Sequence, residues 1–134
     1  MAEQPANRGK TAREINTTIR YAMWSVFRCR RDVVANPAEA AGEALAAIAA
    51  TPAVATRGWY DVGGLRGDAD LMLWLHAETS DELQDAYHAL LRTPWGRTLT
   101  PVWSQMALHR PAEFNKSHVP AFMADERVRP YVCV

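Results

Sequence analysis

The 134-residue chain predicts an α+β fold, a ferredoxin-like βαββαβ unit built on an antiparallel sheet. Hydrophobic spacing alternates between the two-residue period of a strand and the wider period of a helix, in the order strand, helix, strand, strand, helix, strand. The strand segments also carry apolar side chains on both faces. One layer of helices covers only one face, so the other needs a second cover, most simply a sheet from another domain or another chain.

Residues 1–14 are expected to form a disordered polar tail: Met1 to Lys10 carries Pro5 and Gly9 and lacks the apolar stretch of a secretory signal. The folded unit is placed at residues 15–109. Thr17 to Arg28, TTIRYAMWSVFR, is rich in β-branched and aromatic residues and reads as the first strand. Its faces are Ile19, Tyr21, Met23 and Phe27 against Ala22, Trp24 and Val26. Asn36, Pro37 and Glu39 form a helix start, with a capping side chain, a proline suited to the first turn and an acid able to reach back. That helix is expected to run to Ala50, with Ala41, Leu45, Ile48 and Ala49 as its apolar stripe and Thr51-Pro52 as its stop.

Arg57 to Tyr60 and Leu71 to Leu75 read as a hairpin around VGGLRGDAD, where Gly63, Gly64 and Gly67 permit positive φ. These glycines make no phosphate cradle, since GxGxxG and Walker spacing are both absent. Thr79 and Glu82 have capping-box spacing ahead of a second amphipathic helix to Arg92, with Leu83, Ala86, Tyr87, Leu90 and Leu91 on one face. A last strand spans about Val102 to His109, with Val102, Met106 and Leu108 opposite Trp103 and Ala107. Residues 110–130 hold three prolines and no clear period, and read as a long connection between domains. The terminal YVCV, residues 131–134, reads as the first strand of a second, truncated domain.

Composition narrows the function classes. Fifteen basic and fifteen acidic residues cancel, so no net field favours nucleic acid or an anionic membrane surface. No segment approaches the roughly 20 apolar residues of a membrane-spanning helix. Cys29 and Cys133 make neither a disulfide framework nor a CxxC site, which fits reduced thiols in the cytoplasm. His76, His88 and His109 lack zinc-site spacing and read as surface or hydrogen-bonded histidines, and no metal site is expected. Trp24, Trp59, Trp74, Trp95 and Trp103 are spread over separate elements and read as core and interface anchors. Arg28, Arg30 and Arg31, beside Asp32, read as a solvated strand end.

Three segments carry a resemblance: TIRYAMWSVFR (18–28), RGWYDVGGLRGDADLMLWLHAETSDELQDAYHALLRT (57–93), and PVWSQMALHRPAEFNKSHVPAF (101–122) with RPYVCV after it. Together they resemble the N-terminal half of coproheme decarboxylases, the subgroup of the chlorite dismutase family with a distal histidine. The resemblance implies two ferredoxin-like halves in tandem, of the dimeric α+β barrel type, with sheets packed together and five subunits in a ring. It implies oxidative decarboxylation of iron coproporphyrin III to haem b, with hydrogen peroxide as oxidant, in the cytoplasm. The axial histidine and the redox-active tyrosine of such proteins belong to the second half, so no residue here is assigned to either role, and this chain alone is expected to be inactive and to bind porphyrin weakly. His118 within NKSH is the catalytic residue the resemblance carries over. A neutral imidazole there can take a proton from peroxide as it reaches iron. Asn115 and Lys116 are candidate contacts to a propionate, or simply turn and solvate the connection. The alternatives are a non-catalytic assembly module of the same fold, a chlorite dismutase-type haem enzyme and a cofactor-free α+β-barrel monooxygenase, which fold alone does not separate.

Overall fold

The computed structural model describes residues 12–30, 34–115, 117, 119–124 and 130. The elements are α1 (Ala12–Thr17), β1 (Arg20–Cys29), α2 (Pro37–Ala49), β2 (Ala55–Asp61), β3 (Leu71–Ala77), α3 (Ser80–Arg92), a 3-10 turn (Gly96–Thr98), β4 (Leu99–His109) and α4 (Ala121–Ala124). The four strands form one antiparallel sheet in the order β2-β3-β1-β4. This is the expected ferredoxin-like arrangement, with one short helix added at each end. Tyr131 to Val134, assigned to a second domain, lie outside the described residues.

Residues 12–14, placed in the expected tail, belong to α1. Thr17 and Thr18 were expected to open the first strand, but they close this helix. The Thr17 hydroxyl donates to the Arg13 and Glu14 carbonyls and that of Thr18 to Glu14, so the strand begins only at Arg20.

The helix starts follow their sequence signals. Asn36 Oδ1 accepts from the Glu39 amide at 3.3 Å, with Pro37 in the first turn. In α3 the capping box is complete: Thr79 Oγ1 accepts from the Glu82 amide at 3.2 Å and Glu82 Oε2 from the Thr79 amide at 3.0 Å. Such a cap stabilises a helix by about 1 kcal/mol. The stripe of α2 is displaced from its expected line. Ala40, Ala44 and Ile48 are buried, whereas Leu45 is 49% exposed. Small side chains at 40 and 44 let α2 lie close against α3, and Leu45 then points past the contact. Gly96, after α3, is forced by close approach: a Cβ there would overlap the Leu90 carbonyl.

Both helices cover one face. Met23, Phe27, Leu73, Leu75, Ala77 and Leu99 from the sheet meet Ala44, Ile48, Leu83, Ala86 and Leu90 from α2 and α3. The opposite face holds a smaller cluster, Val26, Ala69 and Met72, with Trp24, Tyr60, Val62 and Val102 against it. Val62 and Ala69 come from the hairpin tip, which folds back over the sheet and is tied there by the Asp70 amide donating to the Phe27 carbonyl at 2.9 Å. The second face is thus covered in part by the chain's own tip. Phe27 and Met72 are buried, while Ile19 and Trp103 stay 52% and 42% exposed.

A bulge at Val26/Phe27 in the β1–β4 pairing leaves Val102 as an extra residue. Val102 consequently joins the tryptophan side of the sheet rather than sharing a face with Met106 and Leu108 as strict alternation required. Met106 and Leu108 remain exposed beyond the reach of α2 and α3.

Candidate functional site

The chemistry gathers at one end of the sheet face that the helices leave uncovered. Trp24 on β1 and Trp74 on β3 are cross-strand partners, with rings stacked at 5.5 Å between centroids. Their indole nitrogens are buried donors with no acceptor among the described residues. The Arg57 guanidinium lies over Trp74, 5.9 Å from the ring centre. Arg57 occupies the irregular step in the β2–β3 pairing between Thr56 and Gly58, which turns a long cation onto an otherwise apolar surface.

Next to Trp74, His76 is only 8% exposed. Its Nδ1 accepts two N–H groups from Arg20, at 2.8 and 3.2 Å. A guanidinium only donates, so Nδ1 carries the lone pair and the ring proton sits on Nε2. Burial first, then the positive charges of Arg20 and Arg57, hold the imidazole well below its ordinary value, at about 4. His76 is therefore neutral through the physiological range. Arg20 keeps a partner at the rim, Glu78, at 3.7 Å. His109, at the end of β4, has the other tautomer: its Nδ1 lies 3.0 Å from the Thr18 carbonyl, which only accepts.

Phe122, from α4, closes this end of the face. Its ring meets His76 edge-on at 5.3 Å, Trp74 at 6.2 Å and His109 at 6.4 Å. The connection is held at an earlier point as well, where Ala112 donates its amide to the buried Asn16 Oδ1 at 2.9 Å. Asn16 lies on α1.

Of the residues proposed from sequence, His118 and Lys116 lie outside the described residues. Asn115 is exposed and its Oδ1 accepts from the Ser117 amide and hydroxyl, at 3.2 and 2.7 Å, which is the turn-forming use of that side chain. His76 and His109 are hydrogen-bonded, as their spacing suggested. Sequence reasoning did not single out Arg20, Arg57 or Phe122. The available signal was the alternation of β3, which sets His76 on the same face as Trp74 and Met72.

The described residues make no porphyrin cradle by themselves: the lone pair of His76 is engaged by Arg20 and its ring is packed against Phe122. Among the described residues, no group of three or more His, Cys, Asp or Glu side chains is arranged to hold a metal ion. A cleft of about 260 Å³ at the start of α2 is lined by Val34, Asn36, Glu39, Glu43 and Pro94. Its two carboxylates oppose an anionic ligand. No helix among the described residues is long and apolar enough to cross a membrane.

Comparison with known proteins places this geometry. The family model described as chlorite dismutase matches residues 36–134. Coproheme decarboxylase of Mycolicibacterium smegmatis is 48% identical over 124 residues, 90% of this chain and 54% of the relative. The chain thus spans about half the length of the curated relative it matches. Chlorite dismutase from Candidatus Nitrospira defluvii superposes with a TM-score of 0.60 at 24% identity, covering 66% of this chain and 39% of that one. Its complex with imidazole gives 0.59 at 23% identity, covering 71% and 42%. At those identities the likeness establishes the fold alone.

Proposed function

This chain belongs to the chlorite dismutase family, and from that premise we propose that it is the N-terminal half of a coproheme decarboxylase that makes haem b by oxidative decarboxylation. The observation that carries this reading is the 48% identity to the mycobacterial coproheme decarboxylase across 90% of the chain. In the proposed reaction each of two propionic acid side chains of iron coproporphyrin III becomes a vinyl group. Each loses its carboxyl carbon as CO₂ together with two hydrogens, and each conversion reduces one hydrogen peroxide to two waters. The iron of the substrate is the redox centre. The second half supplies the axial ligand, the tyrosine and most of the porphyrin contact, and the assembly is a homopentamer in the cytoplasm.

The contribution of this half is a base. His118 receives a proton from peroxide at the iron, which requires a neutral imidazole, so turnover falls as that imidazole becomes charged. Lys116 and Asn115, two and three positions before it in the sequence, are the proposed contacts to the propionates. The test is stopped-flow mixing on the full-length protein, once with coproheme and once with peroxide. His118→Ala slows the peroxide step by roughly 10²-fold or more and leaves coproheme affinity nearly unchanged. Equal peroxide rates in the two proteins would remove His118 from the mechanism. The 134-residue chain alone gives no turnover.

A further inference from the structure

We propose that the outer edge of β4 docks a second copy of this chain, the two β4 strands pairing antiparallel about a two-fold axis through Met106. The two edges of the sheet are built differently. β2 is seven residues long, carries Arg57 and Asp61, and breaks register between Thr56 and Gly58, each of which discourages a further strand. β4 is eleven residues long, and beyond its bulge the register from Trp103 to His109 is regular. Its segment VWSQMAL, residues 102–108, holds no charge, no proline and no glycine. β4 pairs with β1 on one side, and among the described residues no strand lies on the other. One edge is protected and the other is open.

Neighbouring hydrogen bonds fix which main-chain groups of β4 face outward. Arg30 donates to the Thr98 carbonyl at 3.2 Å, and the Phe27 carbonyl accepts from Asp70 at 2.9 Å, so even-numbered residues of β1 bond toward β4 and odd-numbered ones toward β3. Through the pairs Val26–Trp103, Trp24–Gln105 and Ala22–Ala107, the odd-numbered residues of β4 bond to β1. Ser104, Met106 and Leu108 therefore turn their N–H and C=O groups to the open edge. Gln105 marks the same edge, since its side-chain amide donates to the Met106 carbonyl at 3.1 Å. Ser104 and Leu108 lie symmetrically about Met106, so a two-fold copy sets Met106 against Met106 and Ser104 against Leu108, each pair exchanging N–H and C=O. The Gln105 amide then yields the Met106 carbonyl to the main chain of the copy. No like charges are brought together, whereas a strongly acidic or basic strand would find no counter-charge along this edge. The exposed apolar side chains decide between edge and face. Trp103, 42% exposed, points to the face without helices, while Met106 and Leu108, 37% and 46% exposed, point to the other, beyond the reach of α2 and α3. A partner laid on either face covers one set only. A strand added at the edge extends both faces and covers both.

The experiment is sedimentation of the 134-residue chain across a concentration series, native and with Met106→Lys or Met106→Glu. The native chain is expected to be dimeric at high concentration. Each charged variant raises the dissociation constant roughly tenfold or more, because like charges meet across the axis and an apolar contact is lost. An equimolar mixture of the two variants restores most of the association, since Lys then stands opposite Glu, and this restoration also shows that both variants fold. In oxidising buffer Met106→Cys links two chains through position 106, at the roughly 5.5 Å Cα separation of a directly opposed pair, as located by peptide mapping. Leu45→Cys, at an exposed position of α2, does not. A native chain that stays monomeric throughout would overturn the inference. So would charged variants that associate as the native chain does while Trp103→Ser does not, which would move the contact to the sheet face. Failure of the mixture to associate, or a Met106→Cys chain that links no faster than Leu45→Cys, would equally end it.

Discussion

On the helix-covered face of the sheet, eleven residues from five elements bury into one cluster. On the opposite face three do, ringed by half-buried aromatic side chains and by cations. Both faces are woven from the same four strands, so strand propensity does not explain the difference. The first face is completed by α2 and α3, whose apolar rows supply matching side chains. The second is patched by the hairpin tip and by Phe122 from the connection. It tolerates Arg20, Arg57 and His76, two buried tryptophan donors without acceptors among the described residues, and an edge strand, β4, exposed along most of its length. Stability is concentrated on one face, and the polar chemistry on the other.

Phe27→Ala tests the contrast most strongly. Phe27 is fully buried and stacks on Tyr87 at 5.9 Å, so its loss leaves a cavity that α3 cannot collapse into, costing about 3–5 kcal/mol in chemical denaturation. A cost under about 1 kcal/mol would mean that the helix-covered core is not close-packed.

A smaller effect is expected from pH on the opposite face. His76 titrates near 4 in the fold and near 6.5 when unfolded, so the unfolded chain binds the extra proton first as pH falls. This contribution to stability is whole above pH 6.5, declines between 6.5 and 4, and does not fall further below that. With partial solvent screening it amounts to on the order of 1–2 kcal/mol. His76→Gln, which keeps an acceptor for Arg20 without the titration, flattens that part of the stability profile. An unchanged slope between pH 6.5 and 4 would show that His76 is not desolvated.

The smallest effect is expected on β4. Trp103→Ser leaves the stability of the chain within about 0.5 kcal/mol, since the side chain is 42% exposed. It weakens self-association in sedimentation at high concentration, because Trp103 is a large apolar side chain left exposed on the face that the helices do not cover. A loss of stability comparable to that of Phe27→Ala would place Trp103 in the core.

The sequence by itself determined the element order, both helix caps and the helix-covered core. These depend on local signals: Asn36 and Thr79 ahead of their acids, and a regular apolar row on α3 above strands of strict alternation. It did not determine α1, since six residues carry too short a period to read, nor the line of α2, where alanines on every side make several stripes equivalent. Tertiary structure alone decided the rest. The bulge at Val26/Phe27 moved Val102 to the other face, and the irregular β2–β3 pairing brought Arg57 over Trp74. Residues 76, 109 and 122 met because sheet order and the path of the connection placed them together, at separations in sequence that no local pattern encodes. Local periodicity reports which side of an element is apolar, whereas the meeting of Arg20, His76 and Phe122 depends on strand register and chain reversal, which arise only when the whole sheet is assembled.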